Sequence, residues 1–177
     1  MNDKLEAYLA KQDIYELCCR YMRGLDRHDP KLMLEQFWED GWCEYGFYNS
    51  APGEFISFCM EALKDHVANQ HLIGNVLVEI EGNQAFGEVY FQAYHKMASD
   101  NGFDDVIIAG RYVDRYECRD GVWKFAYRSE VVDWSRTEPT SDPYFELAPD
   151  CIRGGRQNDP VYRTDDRCRP GSNPTQG

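Results

Sequence analysis

Asp26 is the residue of this 177-residue chain that most needs a partner. It closes an amphipathic run. At about 100° per residue, Tyr8, Tyr15, Cys19 and Met22 fall within about 40° of it around a helix. Cys18 and Leu25 flank that stripe, while Glu16, Arg20 and Arg23 lie to one side. A carboxylate against apolar neighbours is costly unless it is paired or hydrogen-bonded. Four histidines could answer it. His28 stands beside it in the polar turn Arg27-His28-Asp29, and His66 ends a helical run, where a cation suits the helix dipole. His71 begins an apolar strand in which Val76, Val78 and Ile80 share a face. Simple alternation puts His71 on the other face, unless Gly74 marks a bulge that reverses the phase. His95 alternates in phase with Val89, Phe91 and Ala93. A core histidine satisfied by one hydrogen bond is the plain alternative for each. Paired with a carboxylate, however, an imidazole has its proton fixed on one nitrogen and presents the other as a general base.

Other catalytic chemistries find little support. No serine sits in a nucleophile elbow, and no glycine-rich loop could cradle a phosphate. His66, His71 and a carboxylate match no metal-ligand spacing, so no metal is expected. Seven scattered cysteines, at 18, 19, 43, 59, 118, 151 and 168, include no CxxC pair. They read as small buried hydrophobes with reduced thiols.

The elements that must position these residues change character along the chain. Residues 4–26 read as helix, with a break near Lys11-Gln12 weighed. Asp29 is a natural N-cap and Pro30 a natural first residue for a short helix over Lys31–Trp38. Gly41–Tyr48 reads as an aromatic strand, and Glu54–Val67 as an amphipathic helix. Residues 70–80, 84–97, 105–118 and 122–134 are rich in β-branched and aromatic residues, and turn signals separate them. Asp120-Gly121 is a strong hairpin signal. Helices followed by strands indicate an α+β fold with a curved, mostly antiparallel sheet. Arg111, Asp114 and Arg115 read as charges on a solvated or interface face of a strand. After Thr137 the composition turns to Pro, Asp, Arg, Gly and Asn. The division expected is therefore a domain over 1–136 and an extended tail over 137–177 that docks on the domain or on a neighbouring subunit.

The net charge is −12, which excludes a nucleic acid partner and an anionic membrane surface. The N-terminus carries no apolar secretory signal, and no run approaches a membrane span, so a cytoplasmic protein is expected. The chain is well stocked with aromatics, 12 Tyr, 9 Phe and 4 Trp, and its charge says little about a small neutral substrate.

Helices, then His71-Leu-Ile-Gly-Asn75 opening a long sheet, then the segment Tyr112–Arg128 with its Arg119-Asp-Gly-Val-Trp-Lys-Phe125, together resemble the SnoaL-like family of the nuclear transport factor 2-like superfamily. The resemblance covers about residues 5–136. It implies a cone-shaped α+β barrel with N-terminal helices packed on the sheet. It also implies a cofactor-free lyase in which Asp26 orients His71, as in the family's dehydratases and dehydrochlorinases. Tyr21-Met-Arg-Gly-Leu-Asp26 has the form found in a steroid-acting dehydratase and makes Tyr21 a proton donor. Arg128 corresponds to an active-site arginine of a dehydrochlorinase. His95 and Tyr45 follow from dehydratase spacing alone. Phe91, Ala93, Gly110, Tyr112 and Val132 fall at positions similar to a pocket wall. A homo-oligomer, trimer or dimer, is also implied.

The expected reaction is a cofactor-independent elimination, dehydration or retro-aldol, on a small apolar substrate that is aromatic or cyclic. A double-bond isomerase or cyclase would use the same site. A non-catalytic binder of hydrophobic ligands and an interaction protein with a solid core stand as further alternatives.

Overall fold

A computed structural model describes residues 2–162. A single 26-residue helix, α1 (Asn2–Arg27), leads into α2 (Pro30–Leu34), β1 (Phe37–Glu44), β2 (Asn49–Ser50) and α3 (Pro52–Leu63). Four long strands follow: β3 (Ala68–Glu81), β4 (Gln84–Ser99), β5 (Gly102–Arg119) and β6 (Val122–Pro139). They form one six-stranded sheet in the order β2-β1-β6-β5-β4-β3, antiparallel except where β1 lies parallel to β6. The sheet is curved and unclosed, and the helices fill its concave side. This is the α+β cone the sequence indicated.

Local chemistry explains the joints. Asp29 caps α2 by accepting from the Leu32 amide at 2.9 Å, with Pro30 at the first helical position. That helix stops at Leu34, earlier than the expected Trp38, because Phe37 and Trp38 already belong to β1. The aromatic strand likewise starts four residues before the expected Gly41. Asp120 and Gly121 both adopt positive φ, as a tight hairpin turn requires. Gly74 sits in a β-bulge: the pairing of β3 with β4 slips between Ile73 and Val76. The slip reverses the alternation, so His71 and Ile73 share the inner face with Val76 and Val78. His71 therefore faces the helices because of that one glycine-centred irregularity.

The helix stripe differs from the sequence expectation. α1 buries Ile14, Leu17, Cys18, Tyr21, Met22 and Leu25 against the sheet. Tyr8 is 65% exposed and Tyr15 is exposed as well. The buried face follows the i, i+4, i+7, i+11 series through Ile14, Cys18, Tyr21 and Leu25, which carries the bulkier apolar chains. Asp26 borders that face beside Met22 instead of lying at its centre, and the helix runs unbroken through Lys11-Gln12. Of the six cysteines among the described residues, all are free thiols, and only Cys18 and Cys43 are fully buried. Among the described residues no helix is long and apolar enough to cross a membrane.

Beyond β6 the chain returns across the sheet's end. Arg27 Nη1 donates to the Gly155 carbonyl at 2.7 Å and pairs with Asp159 at 2.6 Å. Arg156 Nη2 donates to the carbonyls of Leu63, Lys64 and His66 at the end of α3. The remainder of the expected tail, 163–177, lies outside the described residues.

Candidate active site

Asp26 reaches His71 across the helix–sheet boundary. Its Oδ1 lies 2.8 Å from His71 Nδ1, and it also accepts from the His71 backbone amide, at 2.9 Å to Oδ1 and 3.2 Å to Oδ2. The side chains are 7% (His71) and 12% (Asp26) exposed. The carboxylate therefore meets the backbone amide and one ring nitrogen of the same residue and holds the ring in position, and an Nδ1–H donated to it is the tautomer that such a pairing favours. A groove of about 560 Å³ runs past the pair, lined by Tyr15, Cys19 and Met22 of α1, Ile73 of β3, and Gly154 and Val161 of the tail.

His71 belongs to a cluster. His95 lies across β3–β4 with its ring centroid 5.2 Å from that of His71. Asn69 Oδ1 stands 3.0 Å from His95 Nδ1 and 2.9 Å from His66 Nδ1, and can accept from both rings. Burial first, and then the neighbouring His71 and His66, push the His95 pKa down to about 3. His95 is thus a neutral imidazole at working pH, and cannot act as an imidazolium acid. Asn69 was not anticipated, although it alternates in phase with His71. His28 takes a separate course, with Nε2 2.7 Å from the Met60 carbonyl. Among the described residues no group of three or more His, Cys, Asp or Glu side chains could hold a metal ion.

A second cluster occupies the other end of the concave face. Arg128 is fully buried and grips Asp114 with two bonds of 2.8 Å, Nε to Oδ1 and Nη2 to Oδ2. Its guanidinium lies 4.5, 4.1 and 4.0 Å from the ring centroids of Tyr21, Tyr112 and Phe125. Burial works against its charge, but Asp114 outweighs it and raises the pKa well above the usual range. Tyr21 and Tyr45 share a hydroxyl–hydroxyl contact of 3.1 Å. Burial holds the hydroxyls of Tyr21, Tyr45 and Tyr112 well above the ordinary phenol range.

The anticipated residues therefore fall into two sets. Asp26, His71 and His95 come together at one end. Tyr21, Tyr45, Tyr112 and Arg128 come together at the other, where the hydroxyl of Tyr21 bonds that of Tyr45. Between them, Phe91 stacks on Tyr112 at 4.5 Å, Ala93 pairs across strands with His71, and Gly110 is the register partner of Phe91. A Cβ on Gly110 would stand 2.1 Å from the Val131 carbonyl oxygen, so that glycine admits the β6 backbone at a bulge. Val132 is 51% exposed and marks the open rim of the wall. Asp114 corrects the expectation of a solvated face. Arg111 and Arg115 do point outward, to Glu88 and Asp133 and to Glu117 respectively. Asp114 is of opposite parity and points inward.

One inward group was missed. Glu130 follows Arg128 by two residues on the same face of β6 and is the cross-strand partner of Tyr112. Burial raises its carboxyl to about 7, against the lowering pull of Arg128. The alternation that places Arg128 and Val132 on the inner face also places Glu130 between them.

A cone of helices on a curved antiparallel sheet, with polar groups along its concave side, is the architecture that the resemblance implied. The model of the SnoaL-like domain family matches residues 6–129, and the chain belongs to that family. Among solved structures, a type 2 hexachlorocyclohexane dehydrochlorinase (LinA) is 18% identical with a TM-score of 0.70, over 79% of this chain and 98% of that one. A candidate scytalone dehydratase from Novosphingobium aromaticivorans is 19% identical with a TM-score of 0.68, over 80% and 94%. Rv3472 of Mycobacterium tuberculosis, of unknown function, is 25% identical with a TM-score of 0.62, over 72% and 74%. No curated protein matches the sequence.

Proposed function

We propose that the protein is a cofactor-independent lyase that uses His71, oriented by Asp26, as the general base on a small, largely apolar, aromatic or cyclic substrate. The observation that carries this reading is the 2.8 Å contact between Asp26 Oδ1 and His71 Nδ1, reinforced by the amide of the same residue. With Nδ1–H committed, Nε2 is the nitrogen that takes a proton. In a dehydration it removes a proton from carbon next to an electron-withdrawing group. The electron pair forms the new double bond, and the β-hydroxyl departs as water with the proton returned from the imidazolium. In the retro-aldol variant the proton comes from the hydroxyl, and a carbon–carbon bond breaks instead. An isomerase would return the proton to carbon. Neutral His95 serves as a hydrogen-bonding neighbour, and the buried aromatic wall keeps water from the developing charge. The fold shared with a dehydrochlorinase and a candidate dehydratase supports the same class. General base catalysis contributes about 10²–10⁴-fold.

The test is turnover, followed by loss of ultraviolet absorbance or product release, on a panel of aryl diols and β-hydroxy ketones. His71→Ala should lose about 10²–10⁴-fold in kcat/KM while its circular dichroism matches wild type. Unchanged turnover in that variant would refute the assignment.

A further inference from the structure

Glu130 has no role in the elimination chemistry, yet its setting is that of a ligand group. It stands on the concave wall between Arg128 and Val132, opposite Tyr112. Successive inward residues on a strand are about 7 Å apart, room for one oxygen atom to sit between two hydrogen-bonding groups. Every other charged group at this end is already answered: Asp114 neutralises Arg128 through two bonds, and the tyrosines stay as phenols. Glu130 is half-buried and has no hydrogen-bond partner among the described residues. Arg128 Nη1 is the one buried side-chain donor there that also lacks a partner. Leaving that buried donor unsatisfied is costly unless something else meets it, and the Glu130 carboxyl, only half-buried on the same wall, stays open to a donor from outside. The surroundings are aromatic, with Tyr112 stacked on Phe91 and Tyr45 tilted at 30° against Phe55, whose ring centroid is 4.2 Å away.

We propose that Glu130 is the specificity-determining residue of a distal subsite, and that it binds an uncharged hydroxyl on a ring, a phenol, at the end of the substrate remote from His71. A phenolic hydroxyl can donate to Glu130 and accept from a neighbouring donor, and its ring fills the aromatic wall. A carboxylate placed there meets a second carboxyl with no uncommitted cation. A methyl ether cannot donate. The inference rests on reading the concave face as the substrate pocket, but its test needs no turnover and so stands apart from the lyase assignment.

The groups that face Glu130 are Tyr45 after β1, Cys59 of α3, Tyr112 of β5 and Arg128 of β6, with Tyr21 of α1 behind them on the Tyr45 hydroxyl. Burial keeps the three tyrosines and the Cys59 thiol neutral near pH 7. Calorimetric titration with 4-propylphenol, 4-propylanisole and 4-propylbenzoate is the experiment, on the full chain at pH 6 and pH 8. Wild type should bind the phenol about tenfold more tightly than the anisole, as one charge-assisted hydrogen bond allows. Its affinity for the benzoate should fall severalfold from pH 6 to pH 8 as Glu130 ionises. Glu130→Leu should bring the phenol-to-anisole ratio close to one. Glu130→Gln, nearly isosteric, should abolish the pH dependence of benzoate binding, and this readout serves even if the leucine variant does not fold. A residue that only supports the fold would weaken all three probes alike. A ratio unchanged in Glu130→Leu, or a benzoate profile unchanged in Glu130→Gln, overturns the proposal.

Discussion

The two ends of the concave face each hold an aspartate against a nitrogen base at 2.8 Å, yet they are built for different work. At one end Asp26 meets an imidazole, whose second ring nitrogen is available to a substrate, beside a groove shared by helix, sheet and tail. At the other, Asp114 meets a guanidinium that never gives up its proton, and both side chains are 0% exposed. The contact geometry is similar. Solvent access and the chemistry of the partner separate the pair proposed to react from the sealed one. Counting carboxylate–cation contacts would have ranked the two pairs equal.

The comparison can be broken first at the sealed end. Asp114→Ala leaves Arg128 charged and unanswered in the core. It should cost about 3–5 kcal/mol of unfolding free energy in urea titration. A loss under about 1 kcal/mol, the level of an exposed pair, would mean that this end is not sealed. The open end should respond to pH instead. His95 is held to about 3 in the native state against an ordinary value of 6.5. Below about 6.5 the unfolded chain binds a proton that the native chain refuses, so stability present above that pH drains away as pH falls toward 3. His95→Gln should therefore lose less stability between pH 7 and pH 4 than wild type, by thermal unfolding at each pH. Equal losses would remove His95 from the account.

Much of this was legible because strands announce themselves by period two. The four long strands, the Asp120-Gly121 hairpin and the inward phase of His95 follow from alternation and turn chemistry. The orientation of His71 depended on Gly74. A bulge can be suspected from a glycine within a strand, but only the pairing with β4 shows the slip. Asp114 was misassigned because it was grouped with Arg111 and Arg115 by charge, when parity puts it with Tyr112. Glu130 was overlooked for the converse reason: attention fell on Arg128 and Val132 and passed over the residue between them. Tyr21 and Asp26 are five residues apart, about 140° around a regular helix, so helix geometry already set Tyr21 away from the residue that holds His71; the resemblance alone had put them in one site. The docking of the tail rests on Arg27–Asp159 and Arg156 with the end of α3, contacts between residues some 90 to 130 apart that no local pattern encodes.

Asp26→Asn is the most direct test of the central claim. The substitution keeps the size of the side chain and an oxygen able to accept from the His71 amide, but removes the charge that fixes the ring. With a substrate from the panel in hand, kcat/KM should fall by at least about 10²-fold, while the midpoint of thermal unfolding moves by no more than a few degrees. Full turnover in a folded Asp26→Asn protein would contradict the account.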